Sequence, residues 1–252
     1  MIDRPFYRDA RAGTRAGWIE PKADGRWGVL LADGSVRSRS GAVLRRLDVG
    51  DAAGFVLLGE WVAGTPWSVR SGHHETLLVF DCLEERGESI AHLPLRERRA
   101  AAERVVAEIA NPDIAPIPVL TENEAGAWRH WVERRGWEGL VFKDPEAPFG
   151  AHWERRKRQV EVDYVCMGVE PRPADPTKAR CLLGGLMIDG ELRQVIRVGN
   201  LPARVRRDAA ADPDAFVGRV FKTAGKEAFA SGAVRHGVFL GWHPGKAAHE
   251  CT

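Results

Sequence analysis

The 252-residue sequence has little that marks secreted, zinc-binding or membrane proteins. Its four cysteines lie far apart and none belongs to a Cys-x-x-Cys pair, which argues against a zinc ribbon and a dense disulfide framework. No apolar run approaches the ~20 residues that span a bilayer, and the N-terminus lacks the continuous apolar stretch of a secretory signal. We therefore expect a soluble cytoplasmic protein with free thiols and no membrane partner.

A strong net charge is also lacking. The chain has 37 Lys+Arg and 35 Asp+Glu, a formal charge of +2, so any affinity for nucleic acid must come from local basic patches. What the sequence does have is 44% hydrophobic residues, enough for the core of one large domain or two modest ones.

The first part of the chain has the pattern of a sheet with two helices. Short β-like runs extend from Trp18 to Arg39, with a hairpin signal at Asp33-Gly34, and the apolar run Leu77–Phe80 is typical of a buried strand. Apolar residues at helical spacing predict a helix from about residue 96 to 110. A second helix is predicted from the capping-box pattern at residues 121–124 to the glycine at 136.

After the basic cluster at residues 155–158 the pattern changes to short β-like runs separated by Gly and Pro. These runs cover residues 162–165, 182–188, 192–198, 216–221 and 234–239. About 90 residues of this kind suit a small barrel such as a five-stranded OB-fold. We predict a domain boundary near Arg158 and a loop at Pro171–Pro176 inside the second domain.

The quartet Lys22-Ala-Asp24-Gly25 is the first of six short motifs. Alone, it is more often a surface turn at a strand end. Five further motifs follow it in order: Ser38–Gly41, Gly59–Glu60, Phe80–Asp81, Glu138–Lys143 and Trp153–Lys157. The collinear set resembles motifs I, Ia, III, IIIa, IV and V of the covalent nucleotidyltransferases, which include DNA ligases, RNA ligases and capping enzymes, and the chain is most similar to a minimal ATP-dependent DNA ligase.

The resemblance implies an α+β protein of two domains. Residues 1–158 would form an adenylation (nucleotidyltransferase) domain of antiparallel sheets with flanking helices, and residues 159–252 an OB-fold β-barrel. Such a ligase would be a monomer that seals 3′-hydroxyl/5′-phosphate nicks in double-stranded DNA. An RNA ligase and a non-catalytic nucleic-acid-binding relative stay open as alternatives, and a capping guanylyltransferase is disfavoured.

The resemblance also implies the reacting groups. Lys22 would attack the α-phosphorus of ATP and carry AMP, which requires that it first lose its proton. Carboxylates are needed to hold Mg²⁺ or Mn²⁺, because such ions prefer oxygen ligands. Glu138 is the expected metal ligand, and Glu60 is expected to contact a ribose hydroxyl or to have a second metal role.

Further residues would bind the nucleotide. Phe80 would stack on the adenine, although it could equally be a core aromatic, and Glu20 would bind the adenine amino group. Arg39, and with it Arg26, would contact ribose or the 5′-phosphate of the nick. Three cations would converge on the α-phosphate, unless the basic run is merely a solvated face: Lys143, Arg155 and Lys157.

The sequence departs from the family at four motifs. Leu58 replaces the common Asp before Gly59, and Arg155 replaces the first lysine of motif V, and neither change should abolish the chemistry. Trp27 occupies the site where motif I usually has arginine. At motif VI, His243-Pro-Gly245-Lys246 keeps the lysine but replaces the arginine and the aspartate. Because motif VI orients the pyrophosphate in the family, we expect Lys246 to retain that contact while self-adenylylation is slowed.

Overall fold

The structure is a computed structural model that describes residues 7–10, 17–64 and 66–252. The chain divides into two compact units, Met1–Lys157 and Arg158–Thr252. Among the helices that the structure describes, none combines the length and the apolar character that crossing a bilayer would require.

The first unit contains two sheets. Its strands are β1 (Tyr7–Asp9), β2 (Trp18–Lys22), β3 (Arg26–Leu31), β4 (Ser35–Arg37), β5 (Val43–Arg46), β6 (Val56–Val62), β7 (Thr76–Glu85), β8 (Glu88–Ser89), β9 (Ile114–Pro116), β10 (Gly139–Lys143) and β11 (Trp153–Lys157). One sheet has the order β1-β11-β10-β2, in which β1 and β11 are parallel and the other pairs antiparallel. The larger sheet has the order β5-β4-β3-β6-β7-β8, with β9 parallel to β7.

The larger sheet is covered on both faces because side chains alternate along its strands. On β3, Leu30 packs into a core that includes the apolar stripe of a helix, whereas Val29 packs into a second core. The second core also holds Phe80 from the larger sheet and Val141 and Trp153 from the smaller one. The two sheets therefore share one packed layer, and the candidate site lies beside it.

The helices of this unit are α1 (Pro66–Ser71), α2 (Leu95–Ile109), α3 (Glu124–Ala127) and a π-helix (Trp128–Arg134). The first predicted helix corresponds to α2, which ends at Ala110 in the left-handed conformation (φ 51°). The second prediction was wrong in two respects. Asn123, not Thr121, caps the helix by accepting a 2.9 Å hydrogen bond from the Gly126 amide, and the helix continues as a π-helix.

The second unit has one antiparallel sheet in the order β14-β13-β12-β15-β16. Its elements are β12 (Val160–Arg172), β13 (Asp175–Ile188), β14 (Glu191–Val198), α4 (Ala203–Ala211), β15 (Val220–Gly225) and β16 (Val238–Trp242). Its core is apolar and includes Tyr164, Leu182 and Phe221.

Two expectations for this unit need correction. The predicted loop at Pro171–Pro176 is only a tight connection, because β12 runs to Arg172 and β13 starts at Asp175. The run predicted at 216–221 becomes a strand only from Val220, since a 3₁₀ turn occupies Asp214–Phe216. For the expected barrel, the described residues contain a single bridge, from Asn200 to Val238, that joins the two ends of the sheet, and a closed barrel is not shown.

Candidate active site

Lys22 is the last residue of β2, and its amine contacts the carboxylate of Glu138. Its Nζ lies 2.5 Å from Glu138 Oε2, and its side chain is 16% exposed. The backbone fixes this approach, because Lys22 is paired with Gly139 at the start of β10 and its carbonyl accepts a 3.0 Å hydrogen bond from the Glu138 amide. Lys22 and Glu138 are 116 residues apart in the sequence, and two adjacent strands bring them into contact.

Glu138 is shared between two lysines. Its second oxygen, Oε1, lies 3.1 Å from Lys157 Nζ, and Lys157 is the residue of β11 opposite Gly139. Glycine is needed between the strands, because a Cβ at Gly139 would lie 2.0 Å from the Arg156 carbonyl oxygen. Burial lowers the pKa of Lys157, with the charge of Lys22 acting in the same direction against the opposing effect of Glu138.

Glu60 is a second carboxylate beside Lys22. Its Oε1 accepts a 3.2 Å hydrogen bond from the Gly25 amide, and a Cβ at Gly25 would lie 2.5 Å from the Trp61 carbonyl oxygen. Burial is the main reason why the pKa of Glu60 rises to about 7, and the negative charges of Glu138 and Asp24 add to it. We name Lys22, Glu60, Glu138 and Lys157 the outer cluster.

The two carboxylates of the outer cluster could supply some, but not all, of the ligands of a hard divalent cation. Crowding of Glu60 and Glu138 raises the pKa of Glu60, and a cation beside them would relieve that repulsion. Within the described part of the chain, no group of three or more His, Cys, Asp or Glu forms a cage for a metal. Glu60 and Glu138 would therefore supply only part of an octahedral shell, as is usual for Mg²⁺ in phosphoryl-transfer sites.

A small cavity adjoins the outer cluster. Its lining is apolar on several sides and charged at its ends, and comprises Tyr7, Glu20, Pro21, Lys22, Ala23, Glu60, Phe80, Ile117, Val141, Lys143 and Trp153. Phe80 is buried and meets Trp153 edge to face, with ring centroids 5.5 Å apart. Phe80, Ile117 and Val141 provide apolar contacts that suit the face of a base.

A second charged group lies deeper in the same cavity. Glu20, in the middle of β2, and Lys143, the last residue of β10, form a buried ion pair, and each residue is 2% exposed. Arg99, from α2, approaches the pair with its Nε 3.7 Å from Glu20 Oε1. Burial lowers the pKa of Lys143, against the opposing effect of Glu20. We name Glu20, Arg99 and Lys143 the inner cluster.

Of the three cations expected at the α-phosphate, only Lys157 lies in the outer cluster. Lys143 belongs to the inner cluster, where its Nζ lies 3.7 Å from the centroid of the Trp153 ring. Arg155 turns to the strand beside it: its Nε donates a 3.0 Å hydrogen bond to Asp9, and its guanidinium lies 5.6 Å from the Tyr7 ring centroid.

The remaining candidates lie outside this cavity. Arg39 is exposed in the turn after β4 and, with Trp27 and Arg37, lines a separate surface pocket of about 210 Å³. Arg26 is exposed at the start of β3. In the second unit, Lys246 Nζ donates a 2.9 Å hydrogen bond to Asp163, and His243 Nδ1 accepts one from the Lys246 amide.

The sequence motifs did not single out several residues that the structure brings to the cavity. Val141 and Trp153 lie inside two of the motifs and face the cavity by strand alternation, so the period-two pattern could have identified them. Tyr7 comes from a separate strand, and Arg99 from a helix, with no local signal of a ligand.

Comparisons with known proteins find similarity to DNA ligases. The model of the ATP dependent DNA ligase domain matches residues 68–160. A probable DNA ligase of Anaeromyxobacter sp. (strain Fw109-5) is 32% identical over 110 residues, which are 40% of this chain and 20% of that protein. A DNA ligase of Methanocorpusculum labreanum is 30% identical over 135 residues, 51% of this chain and 21% of that protein. The chain thus spans about a fifth of the length of the curated relatives it matches.

Solved structures agree on the fold along almost the whole chain. A structure from a study of Lig E DNA ligases has a TM-score of 0.70 at 15% identity and covers 96% of this chain and 100% of that one. The ligase domain of M. tuberculosis LigD has a TM-score of 0.52 at 19% identity and covers 98% and 97%. Residues 68–160 therefore match the ATP dependent DNA ligase domain, and the fold of the chain is similar to that of solved DNA ligases.

Proposed function

We propose that the chain is an ATP-dependent DNA ligase whose Lys22 carries AMP. The observation that carries the proposal is the outer cluster, in which a lysine amine contacts a carboxylate 2.5 Å away at the edge of a cavity lined by Phe80 and Val141. In this assignment residues 1–158 are the adenylation domain and residues 159–252, with their five-stranded antiparallel sheet, are an OB-fold.

The first step forms the covalent intermediate. Lys22 Nζ bonds to the α-phosphorus as the bond from that phosphorus to the pyrophosphate oxygen breaks. The ammonium proton must leave Nζ first, and Glu138 is the carboxylate within reach. Lys157 would then donate to the α-phosphate, where a charge-assisted donor stabilises the transition state.

Two further steps complete the reaction. An oxygen of the 5′-phosphate at the nick attacks the adenylate, so that the phosphorus–nitrogen bond breaks and Lys22 is released. The 3′-hydroxyl then attacks that 5′-phosphate, and AMP leaves with the oxygen of the broken bond. When bound, Mg²⁺ or Mn²⁺ neutralises charge on the phosphates; Glu138 and Glu60 would hold it.

The nucleotide pocket follows from the same assignment. The base would lie against Phe80 and Val141, and the ionised Glu20 would accept a hydrogen bond from the adenine 6-amino group. Guanine has an oxygen at that position, which a carboxylate repels. Arg39 and Arg26 are the proposed contacts to the nicked strand, and Lys246 the proposed contact to the departing pyrophosphate.

Labelling tests the proposal. Wild type incubated with α-³²P-ATP and Mg²⁺ is expected to keep label through denaturing electrophoresis and to seal a nicked duplex, whereas Lys22→Ala is expected to do neither. Lys178→Ala is the matched control, because Lys178 is an exposed lysine paired with Asp175 in the second unit. Wild type that takes up no label and seals no pre-adenylylated nick contradicts the ligase assignment, and faster sealing of an RNA nick than a DNA nick favours an RNA ligase.

A further inference from the structure

Glu20 has one oxygen without a hydrogen-bond donor. Its Oε2 pairs with Lys143, but Oε1 is buried and accepts no hydrogen bond from any residue that the structure describes. A buried carboxylate oxygen left without a donor carries a large desolvation penalty. Because Glu20 lines the cavity, a donor on a bound ligand would satisfy it.

Arg99 is the second cation beside that oxygen. Its Nε lies 3.7 Å from Glu20 Oε1 and has no hydrogen-bond acceptor among the described residues. The guanidinium is held elsewhere: Nη1 donates a 2.9 Å hydrogen bond to the Val79 carbonyl, and Nη2 donates one to the Ile117 carbonyl.

These two carbonyls belong to a residue that lines the cavity or to the neighbour of one. Val79 immediately precedes Phe80, and Ile117 itself lines the cavity. One buried guanidinium therefore fixes two segments of the wall and places positive charge beside Glu20. Since Arg is planar and permanently charged, it can hold several acceptors in a fixed geometry.

We propose that Arg99 is the positioning residue for purine selection: it holds Glu20 as an oriented, ionised acceptor that favours a 6-amino purine over a 6-oxo purine. This inference rests on the proposed use of a nucleoside triphosphate. Arg99 does not touch the base; it acts through Glu20.

Arg98 offers a matched control one residue away. It is equally buried on α2, but its guanidinium forms a two-point ion pair with Asp81, with distances of 2.8 and 3.0 Å. No hydrogen bond or ion pair joins Arg98 to Glu20 in the described part of the chain. A substitution of Arg98 therefore disturbs the same helix without removing charge from the inner cluster.

The test is equilibrium binding of the α,β-methylene analogues of ATP and GTP, measured by calorimetry. These analogues cannot release pyrophosphate, so binding is measured whether or not Lys22 reacts. Wild type is expected to prefer the ATP analogue, and Arg99→Met is expected to lower the GTP-to-ATP ratio of Kd values by about tenfold. Arg99→Lys should recover part of the preference, and Arg98→Lys should leave it unchanged.

A double-mutant cycle decides whether the effect passes through Glu20. Because Gln can both donate and accept, Glu20→Gln is expected to lose the preference, and adding Arg99→Met should lower it no further. If Arg99→Met does not fold by circular dichroism, Arg99→Lys replaces it in the cycle. Three results would each overturn the inference. The first is that Arg99→Met lowers the preference for the ATP analogue as much in the Glu20→Gln background as in wild type; the second is that Arg98→Lys lowers it as much as Arg99→Met does. The third is that wild type has no preference. A preference for the ATP analogue without lysyl-AMP formation contradicts only the proposed function.

Discussion

The inner and outer clusters combine the same residue types at different depths. In the outer cluster, Lys22 and Lys157 share Glu138 and their side chains are 16% and 28% exposed. In the inner cluster, Glu20 and Lys143 are almost completely shielded from water. Water screens charges and lets them exchange partners, whereas a buried pair holds one geometry and is costly to break. The outer cluster is therefore better suited to a reaction in which charges change partners, and the inner cluster to binding a ligand in one fixed geometry.

Removing one partner of the inner pair should have the largest effect on stability. Lys143→Met leaves Glu20 buried beside Arg99 alone, and we expect the free energy of unfolding to fall by about 3–5 kcal/mol. Urea unfolding monitored by tryptophan fluorescence measures this, since eight of the nine tryptophans lie in the first unit. The double variant Glu20→Met/Lys143→Met should recover much of the loss, because it removes the buried carboxylate together with the lysine, while Arg99 keeps its ion pair with Glu103 and its two carbonyl acceptors. Equal stability of the single and double variants would contradict this.

The corresponding change in the outer cluster should affect activity instead. Lys157→Met removes the proposed α-phosphate donor, and we expect the rate of lysyl-AMP formation to fall about 10²-fold. Stability should change by less than about 1 kcal/mol, because the pair with Glu138 is partly exposed. Single-turnover labelling and urea unfolding of the same variant provide the two numbers. A stability loss as large as that of Lys143→Met would remove the distinction between the clusters.

Glu60, in the outer cluster, should make the stability of the protein depend on pH. Its pKa in the folded state is about 7, above the ordinary 4.5, so its contribution favours folding at low pH and is lost as pH rises through 7. We expect wild type to lose about 2 kcal/mol of stability relative to Glu60→Gln between pH 5 and 8, less than the full shift would give because the side chain is partly exposed. Urea unfolding at several pH values tests this; parallel pH profiles for the two proteins would contradict it.

The sequence predicts the outer cluster better than the inner one, for a physical reason. Lys22, Glu60 and Glu138 each lie within a short motif, so their types and spacing are visible in the chain. The pairing of Glu20 with Lys143 depends on the register of β2 against β10, which no local pattern specifies. The sequence therefore suggested a phosphate contact for Lys143, whereas the structure buries it against Trp153.

The two units also differ in how well the sequence predicts their elements. Helix α2 was predictable because its apolar stripe is regular, and Arg99 falls on that stripe with Ala102 and Val106, a signal that could have marked it as buried. In the second unit, short runs separated by Gly and Pro indicated strands but not their ends. The length of β12 and β13 follows from cross-strand pairing with bulges, which is tertiary information.

Lys246→Met should have a smaller effect on activity than Lys157→Met, although the two lysines form closely matched ion pairs. Its pair with Asp163 resembles the pair of Lys157 with Glu138, with N–O distances of 2.9 and 3.1 Å and lysine side chains 26% and 28% exposed. Lys246→Met should therefore change stability by less than about 1 kcal/mol. If Lys246 binds pyrophosphate, lysyl-AMP formation should fall about tenfold, as expected for one lost charge-assisted contact. Sealing of a pre-adenylylated nick should stay at the wild-type rate, because no pyrophosphate leaves in that step; an equal loss in both assays would assign Lys246 to DNA binding.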